Sequence, residues 1–126
     1  MSSTASVGRY GEDVAARYLS AQGYEILARN WRSPRREMPG ELDIVAKLAD
    51  KHGVCLVFCE VKTRRSITAG TPAEAVTPEK MRRLRRLAGI WLSMNSVRTD
   101  EIRIDVISVL RPKAGPARIT HLVGVV

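Results

Sequence analysis

The sequence predicts an α/β domain of the α+β kind, with one mixed sheet of four or five strands flanked by two main helices in the order α-β-β-β-α-β-(β). Three observations predict it. Two stretches repeat apolar residues at helical spacing and carry recognisable end signals. The runs between and after them are short, rich in β-branched residues and bounded by Gly, Pro or Asp. The chain has 126 residues, room for one compact core, so 1–126 reads as a single domain.

Each element has its own signal. Residues 1–6 are small and polar and read as a flexible tail. From Val7 to Gln22, Val7, Tyr10, Val14, Tyr18 and Ala21 recur on one side, and Gly23 supplies a stop. Tyr24 to Trp31 reads as a strand, whereas 32–39 is charged and twice interrupted by proline, which predicts a mobile loop. Two strands follow over 41–48 and 54–62, joined by a turn around Asp50, Lys51, His52 and Gly53. A polar connection covers 63–71. Thr77 then caps a helix with Pro78 at its first position, running to Met94. A strand from Ile102 to Leu110, a Pro/Gly break at 112–116 and a last strand near 117–125 complete the chain.

Composition narrows the function. Twenty-one Lys and Arg face thirteen Asp and Glu, a formal net charge of +8, and sixteen of the basic residues are Arg. Arg makes forked contacts with phosphate, so this balance favours a polyanionic partner, nucleic acid or an acidic membrane surface. The longest apolar stretch, Val54 to Cys59, is too short to span a bilayer, and Met1 to Ser6 has no apolar signal core. Cys55 and Cys59 fall in one strand, which holds their Cα atoms roughly 13 Å apart, beyond the roughly 7 Å limit for a disulfide. With only His52 and His121 besides, no tetrahedral zinc set forms. Reduced thiols and a cytoplasmic setting are the expectation.

Acidic groups converge on the hairpin. By period two, Leu56, Phe58, Glu60 and Lys62 share one face of their strand, and Glu41, Asp43, Val45 and Lys47 share a face of theirs. If Leu48 pairs with Cys55, Asp43 lies opposite Glu60 and Glu41 opposite Lys62. Opposed Cβ atoms are roughly 5 Å apart, so two carboxylates would meet where a divalent cation could bridge them. A slip of one residue puts Asp43 against Cys59 and destroys the site. The competing reading is a solvated face on which Lys62 and Glu41 offset the charge.

Two helical residues point to the same place. Glu12 sits on the rim of the first apolar stripe and has Gly8 and Ala16, not a base, at i±4, while Asp13 has Arg9 and Arg17 there. A plain surface Glu paired with Arg9 is the alternative. Lys80 falls within the stripe of Leu84, Leu87, Ala88 and Trp91, so it either snorkels past the helix end or meets an anion. Arg82, Arg85 and Arg86 point outward with Arg83 at the edge, a face that is either solvated or suited to a phosphate backbone.

These residues resemble the PD-(D/E)XK nuclease superfamily, and more closely its YraN-like branch of bacterial predicted endonucleases, distantly similar to archaeal Holliday-junction resolvases. The motifs are Gly11-Glu12, Gly40-Glu41-Leu42-Asp43, Phe58-Cys59-Glu60-Val61-Lys62-Thr63-Arg64, Pro72 to Lys80, and Arg103-Ile104-Asp105-Val106, spanning about Gly8 to Leu110. The resemblance implies a restriction-endonuclease-like core in which Asp43 and Glu60 hold a divalent metal with the Val61 carbonyl. It implies Lys62 as catalytic lysine and Glu12 as an additional metal-site acid. Lys80, matched to a family lysine, is expected at phosphate, and Arg64, Arg82, Arg83, Arg85 and Arg86 at nucleic acid. Mg²⁺, with Mn²⁺ as substitute, suits these hard oxygen donors. Two departures stand out: the loop 32–39 is longer than usual, and Cys59 occupies a position where Val is common.

The leading expectation is therefore a metal-dependent endonuclease on DNA, ahead of RNA, at branched or junction structures, with a two-fold homodimer implied by symmetric cutting. The alternative is a non-catalytic nucleic-acid-binding module on the same fold. A membrane-surface protein ranks last, because the Trp91 stripe is needed for the core.

Overall fold

In the computed structural model, which describes residues 4–65 and 70–125, two helices cover opposite faces of one five-stranded sheet. Helix α1 spans Thr4–Ala21, strand β1 Glu25–Arg32, β2 Glu41–Asp50 and β3 Gly53–Arg64. A 3-10 turn at Pro72–Ala75 leads into α2, Pro78–Met94, followed by β4, Glu101–Leu110, and β5, Arg118–Leu122. Spatial order follows chain order, β1-β2-β3-β4-β5. Only β3 and β4 run parallel, and α2 lies in the connection between them, as a parallel crossover requires.

The element order is the expected one, and the boundaries differ at the ends. Helix α1 begins at Thr4, inside the stretch read as a tail, while residues 1–3 lie outside the described residues. Strand β3 runs on to Arg64, and β5 stops at Leu122. Of the connection read over 63–71, residues 66–69 also lie outside the described part. The loop 32–39 is closed at its base by the Ser33 N–H donating to the Gly40 carbonyl at 2.9 Å, and Met38 packs against the core.

Period-two alternation sorts β3 between two cores. Leu56 and Phe58 join Leu84, Leu87, Ala88 and Trp91 of α2, with Phe58 and Trp91 edge to face. Val57 and Cys59 join Ala15, Ala16 and Leu19 of α1 on the other side. Gly11 sets how close α1 comes: a Cβ there would lie 1.7 Å from Thr63 Oγ1, so only glycine lets the helix sit down on β3. The next residue is Glu12, and this close approach carries it to the end of the sheet where the acids gather.

Candidate functional site

The register is the one the site requires. Leu48 pairs with Cys55, and the ladder continues through Ile44 and Cys59. One step beyond, where the regular pairing ends, the Asp43 carboxylate reaches across and its Oδ2 accepts from the Val61 N–H at 2.8 Å. Asp43 feels the charges of Glu60, Glu12 and Glu41. Burial pushes its carboxyl from the ordinary 3.8 up to about 7, opposed by the Val61 bond and reinforced by the charges of Glu60, Glu12 and Glu41. Burial likewise raises Glu12, with a hydrogen bond from Asn30 and the charge of Arg29 pulling the other way.

Glu60 is the least satisfied of the group. Its Oε2 is buried and accepts no hydrogen bond, and its nearest countercharge is Lys80 Nζ at 3.9 Å. The lysine set into the apolar stripe of α2 therefore meets an anion, and that anion belongs to the site. Thr77 Oγ1 accepts from the Lys80 N–H at 3.2 Å and fixes the first turn from which Lys80 projects.

Other expectations are redistributed. Glu41 does not offset Lys62: it pairs with Arg32 across the β1–β2 ladder at 2.7 Å. Asp13 pairs with Arg29 of β1, also at 2.7 Å, because the sheet brings that guanidinium closer than the helix neighbours Arg9 and Arg17. Lys62 is exposed, two residues beyond Glu60, and with Arg64, Thr71, Glu74, Thr77 and Lys80 it lines a cleft of about 260 Å³. Arg82, Arg83, Arg85 and Arg86 are all exposed. Three of them, Arg82, Arg83 and Arg86, join Lys80 around a neighbouring cleft of about 410 Å³. Arg85 faces a third, more apolar one with Met81 and Val125.

Sequence reasoning missed Asn30. Within β1, between the paired residues Arg29 and Trp31, it takes the left-handed conformation at φ 52, which Asn tolerates better than most residues. Its side chain is the hydrogen-bond partner of Glu12. The signal available was an Asn in a run otherwise suited to a strand, which is weak. Cys59 is wholly buried, and burial pushes its thiol far above the ordinary range, so it fills the core and offers no nucleophile.

Among the described residues, no three His, Cys, Asp or Glu side chains are arranged to hold a metal ion. The close unit is the pair Asp43 and Glu60, and Glu12 acts on it through its charge. A pair is the usual protein share for Mg²⁺, which keeps its waters and takes one or two carboxylates. An orphaned buried oxygen on Glu60 and a carboxyl lifted to about 7 on Asp43 are groups that a bound cation would satisfy.

The comparisons place this site in a family. Residues 11–109 match the model of the uncharacterised protein family UPF0102. The chain belongs to the UPF0102 family. A UPF0102 protein of Beutenbergia cavernae is 52% identical over 120 residues, covering 95% of each chain. One from Kineococcus radiotolerans is 50% identical over 121 residues, covering 95% of this chain and 93% of its own. A third, from Frankia casuarinae, is 50% identical over 119 residues and 94% of each. The UPF0102 match begins at Gly11 and so takes in Glu12, Asp43, Glu60, Lys62 and Lys80. The YraN-like resemblance read from the motifs holds at the level of family. No helix among the described residues is long and apolar enough to cross a membrane.

Proposed function

We propose that this UPF0102 protein is a metal-dependent endonuclease that hydrolyses phosphodiester bonds in nucleic acid, DNA ahead of RNA. The observation that carries the reading is the Asp43–Glu60 pair, left partly unsatisfied beside two lysines in a chain of net charge +8. A purely structural pair of half-buried carboxylates would be destabilising without compensation, and the Lys80 ammonium stands 3.9 Å from Glu60.

In this reading Asp43, Glu60 and the Val61 carbonyl would hold Mg²⁺, with Mn²⁺ as substitute. Bound there, the ion supplies charge stabilisation at phosphate and a more acidic water. The chain's own residues do the remaining work. Val61 N–H fixes the Asp43 carboxylate, so that one of its oxygens is committed and the other available. Lys80, with its Nζ 3.9 Å from Glu60 Oε2, steers that carboxylate by charge. Lys62, exposed beyond Glu60, is the residue free to contact a phosphate oxygen and to orient the attacking water. Glu12 adds negative charge from α1 and strengthens cation attraction. In-line attack would leave a 5′-phosphate and a 3′-hydroxyl. Exposed Arg82, Arg83 and Arg86 offer a phosphate track leading to Lys80. The substrates we favour are branched or junction DNA, cut by a two-fold homodimer in the cytoplasm.

The test is cleavage of labelled single strands, duplexes, flaps and four-way junctions with Mg²⁺ or Mn²⁺, by wild type, Asp43→Ala and Lys62→Ala. Metal-dependent cutting lost by at least about 100-fold in both variants supports the reading. Nucleic-acid binding with no cutting, unaffected by either substitution, would replace it with the non-catalytic binding module.

A further inference from the structure

Arg64, the last residue of β3, is held in an unusual state. Its Nη2 donates to Ser108 Oγ on β4 at 2.9 Å. Its Nε and Nη1 are buried and have no hydrogen-bond partner among the described residues. A guanidinium whose donors are withheld from water and from the protein carries an uncompensated desolvation cost. The same residue forms part of the wall of the 260 Å³ cleft, where Lys62 and Lys80 also project and Glu74 is the one carboxylate in the lining. Three cations share a small concave space lined by a single acid, and Lys80 alone of the three also faces Glu60, at 3.9 Å. Mutual repulsion and unspent donors are both relieved by one kind of occupant, an oxyanion.

We propose that this cleft is a phosphate-binding subsite, with the half-buried Arg64 as its anchor and Lys62 and Lys80 as flanking cations. Thr71 lies on the same wall and adds a hydroxyl donor. Arg64 is suited to the anchor role because its planar fork matches phosphate geometry and Ser108 already fixes its orientation. The subsite differs in kind from the exposed Arg82, Arg83, Arg85 and Arg86, none of which carries a buried, unpaired donor. Lys80 joins the two functions, since it lines the cleft and also stands 3.9 Å from Glu60. A phosphate held at Arg64 would therefore sit next to the carboxylate pair. Only the source of the phosphate, a strand terminus or an internal phosphodiester, rests on the nuclease reading.

The experiment uses the whole chain, labelled with nitrogen-15, in EDTA without divalent metal. Inorganic phosphate is titrated while the arginine Nε–H resonances are followed. The expected result is a saturable shift, largest at Arg64, with phosphate affinity at least about tenfold weaker in Arg64→Gln. Lys62→Ala, at an exposed position, should weaken it by a smaller factor and serves as the second variant if Arg64→Gln does not fold. Equal, non-saturating shifts at Arg64 and the α2 arginines would mean an adventitious ion only and would overturn the subsite, as would unchanged affinity in folded Arg64→Gln. Matched oligonucleotides with and without a 5′-phosphate then identify the source. Tighter binding of the phosphorylated strand that depends on Arg64 assigns a terminus. Equal binding, weakened in both by Arg64→Gln, assigns an internal phosphodiester. Neither metal nor cleavage enters the phosphate titration, so its failure leaves the Asp43–Glu60 reading standing, and inactive protein that still binds phosphate refutes only the hydrolysis.

Discussion

Two aspartates at different places on the sheet, one fully buried and one half-buried, have opposite circumstances. Asp105 on β4 is fully buried and every direction around it is occupied. Arg103 Nε and Nη2 donate to its two oxygens at 2.9 and 2.8 Å, the Gly124 N–H donates at 2.9 Å, and His121 Nε2 lies 2.6 Å away. Tyr24 accepts from Arg103, and Tyr18 bonds His121 Nδ1, so the network ties β4 to α1, the residue just before β1, β5 and the segment after it. Asp43 has one N–H partner and several carboxylates for neighbours. The protein completes the coordination of Asp105 and leaves that of Asp43 open. A buried acid that the chain fully satisfies is structural, and one left among other carboxylates with a single N–H partner is a candidate for binding a ligand.

The largest effect should come from breaking the satisfied one. Asp105→Ala strands the largely buried Arg103 and His121, and should cost about 3–5 kcal/mol in denaturant unfolding. Asp43→Asn should do the reverse in metal-free protein. The Asp43 carboxyl is raised above its ordinary 3.8, so its contribution to stability is complete below about pH 3.8 and is lost as pH rises through about 7. The variant should therefore exceed wild type by about 2–4 kcal/mol at pH 8, with the gap closing on acidification. Unfolding curves of both proteins from pH 4 to 8 check the sign.

Smaller effects sharpen the contrast. Gly11→Ala must push α1 off Thr63 and should cost about 1–3 kcal/mol while lowering metal-dependent cleavage, because Glu12 moves with the helix. Alanine at Arg82, Arg83, Arg85 and Arg86 together should leave folding unchanged. It should flatten the salt dependence of nucleic-acid binding by about 0.9 in slope for each duplex phosphate contact removed. An unchanged slope would make that face merely solvated.

The contrast also explains what could be read from the sequence. The hairpin was legible because alternation and a short turn leave one register that buries the apolar faces, and that register brings Asp43 to Glu60. Lys80 was legible as an oddity, since a charged residue in an apolar stripe needs a reason. Pairings set by tertiary approach were not. Asp13 with Arg29 and Glu41 with Arg32 depend on how α1 and β1 are laid against their neighbours. The Asp105 network joins residues as far apart as Tyr18 and His121, and its motif carried no local cue to those partners. Asn30 was hidden because a left-handed φ within a strand follows no rule of strand periodicity.

Thermal unfolding of wild type and Asp43→Asn at pH 7.5, with Mg²⁺ titrated into EDTA-stripped protein, tests the central claim most directly. A ligand that binds only the folded state stabilises it in proportion to the logarithm of its saturation. The account predicts that Mg²⁺ raises the midpoint of wild type in a saturable way and leaves Asp43→Asn unmoved. Equal responses in the two proteins, or none in either, would contradict it.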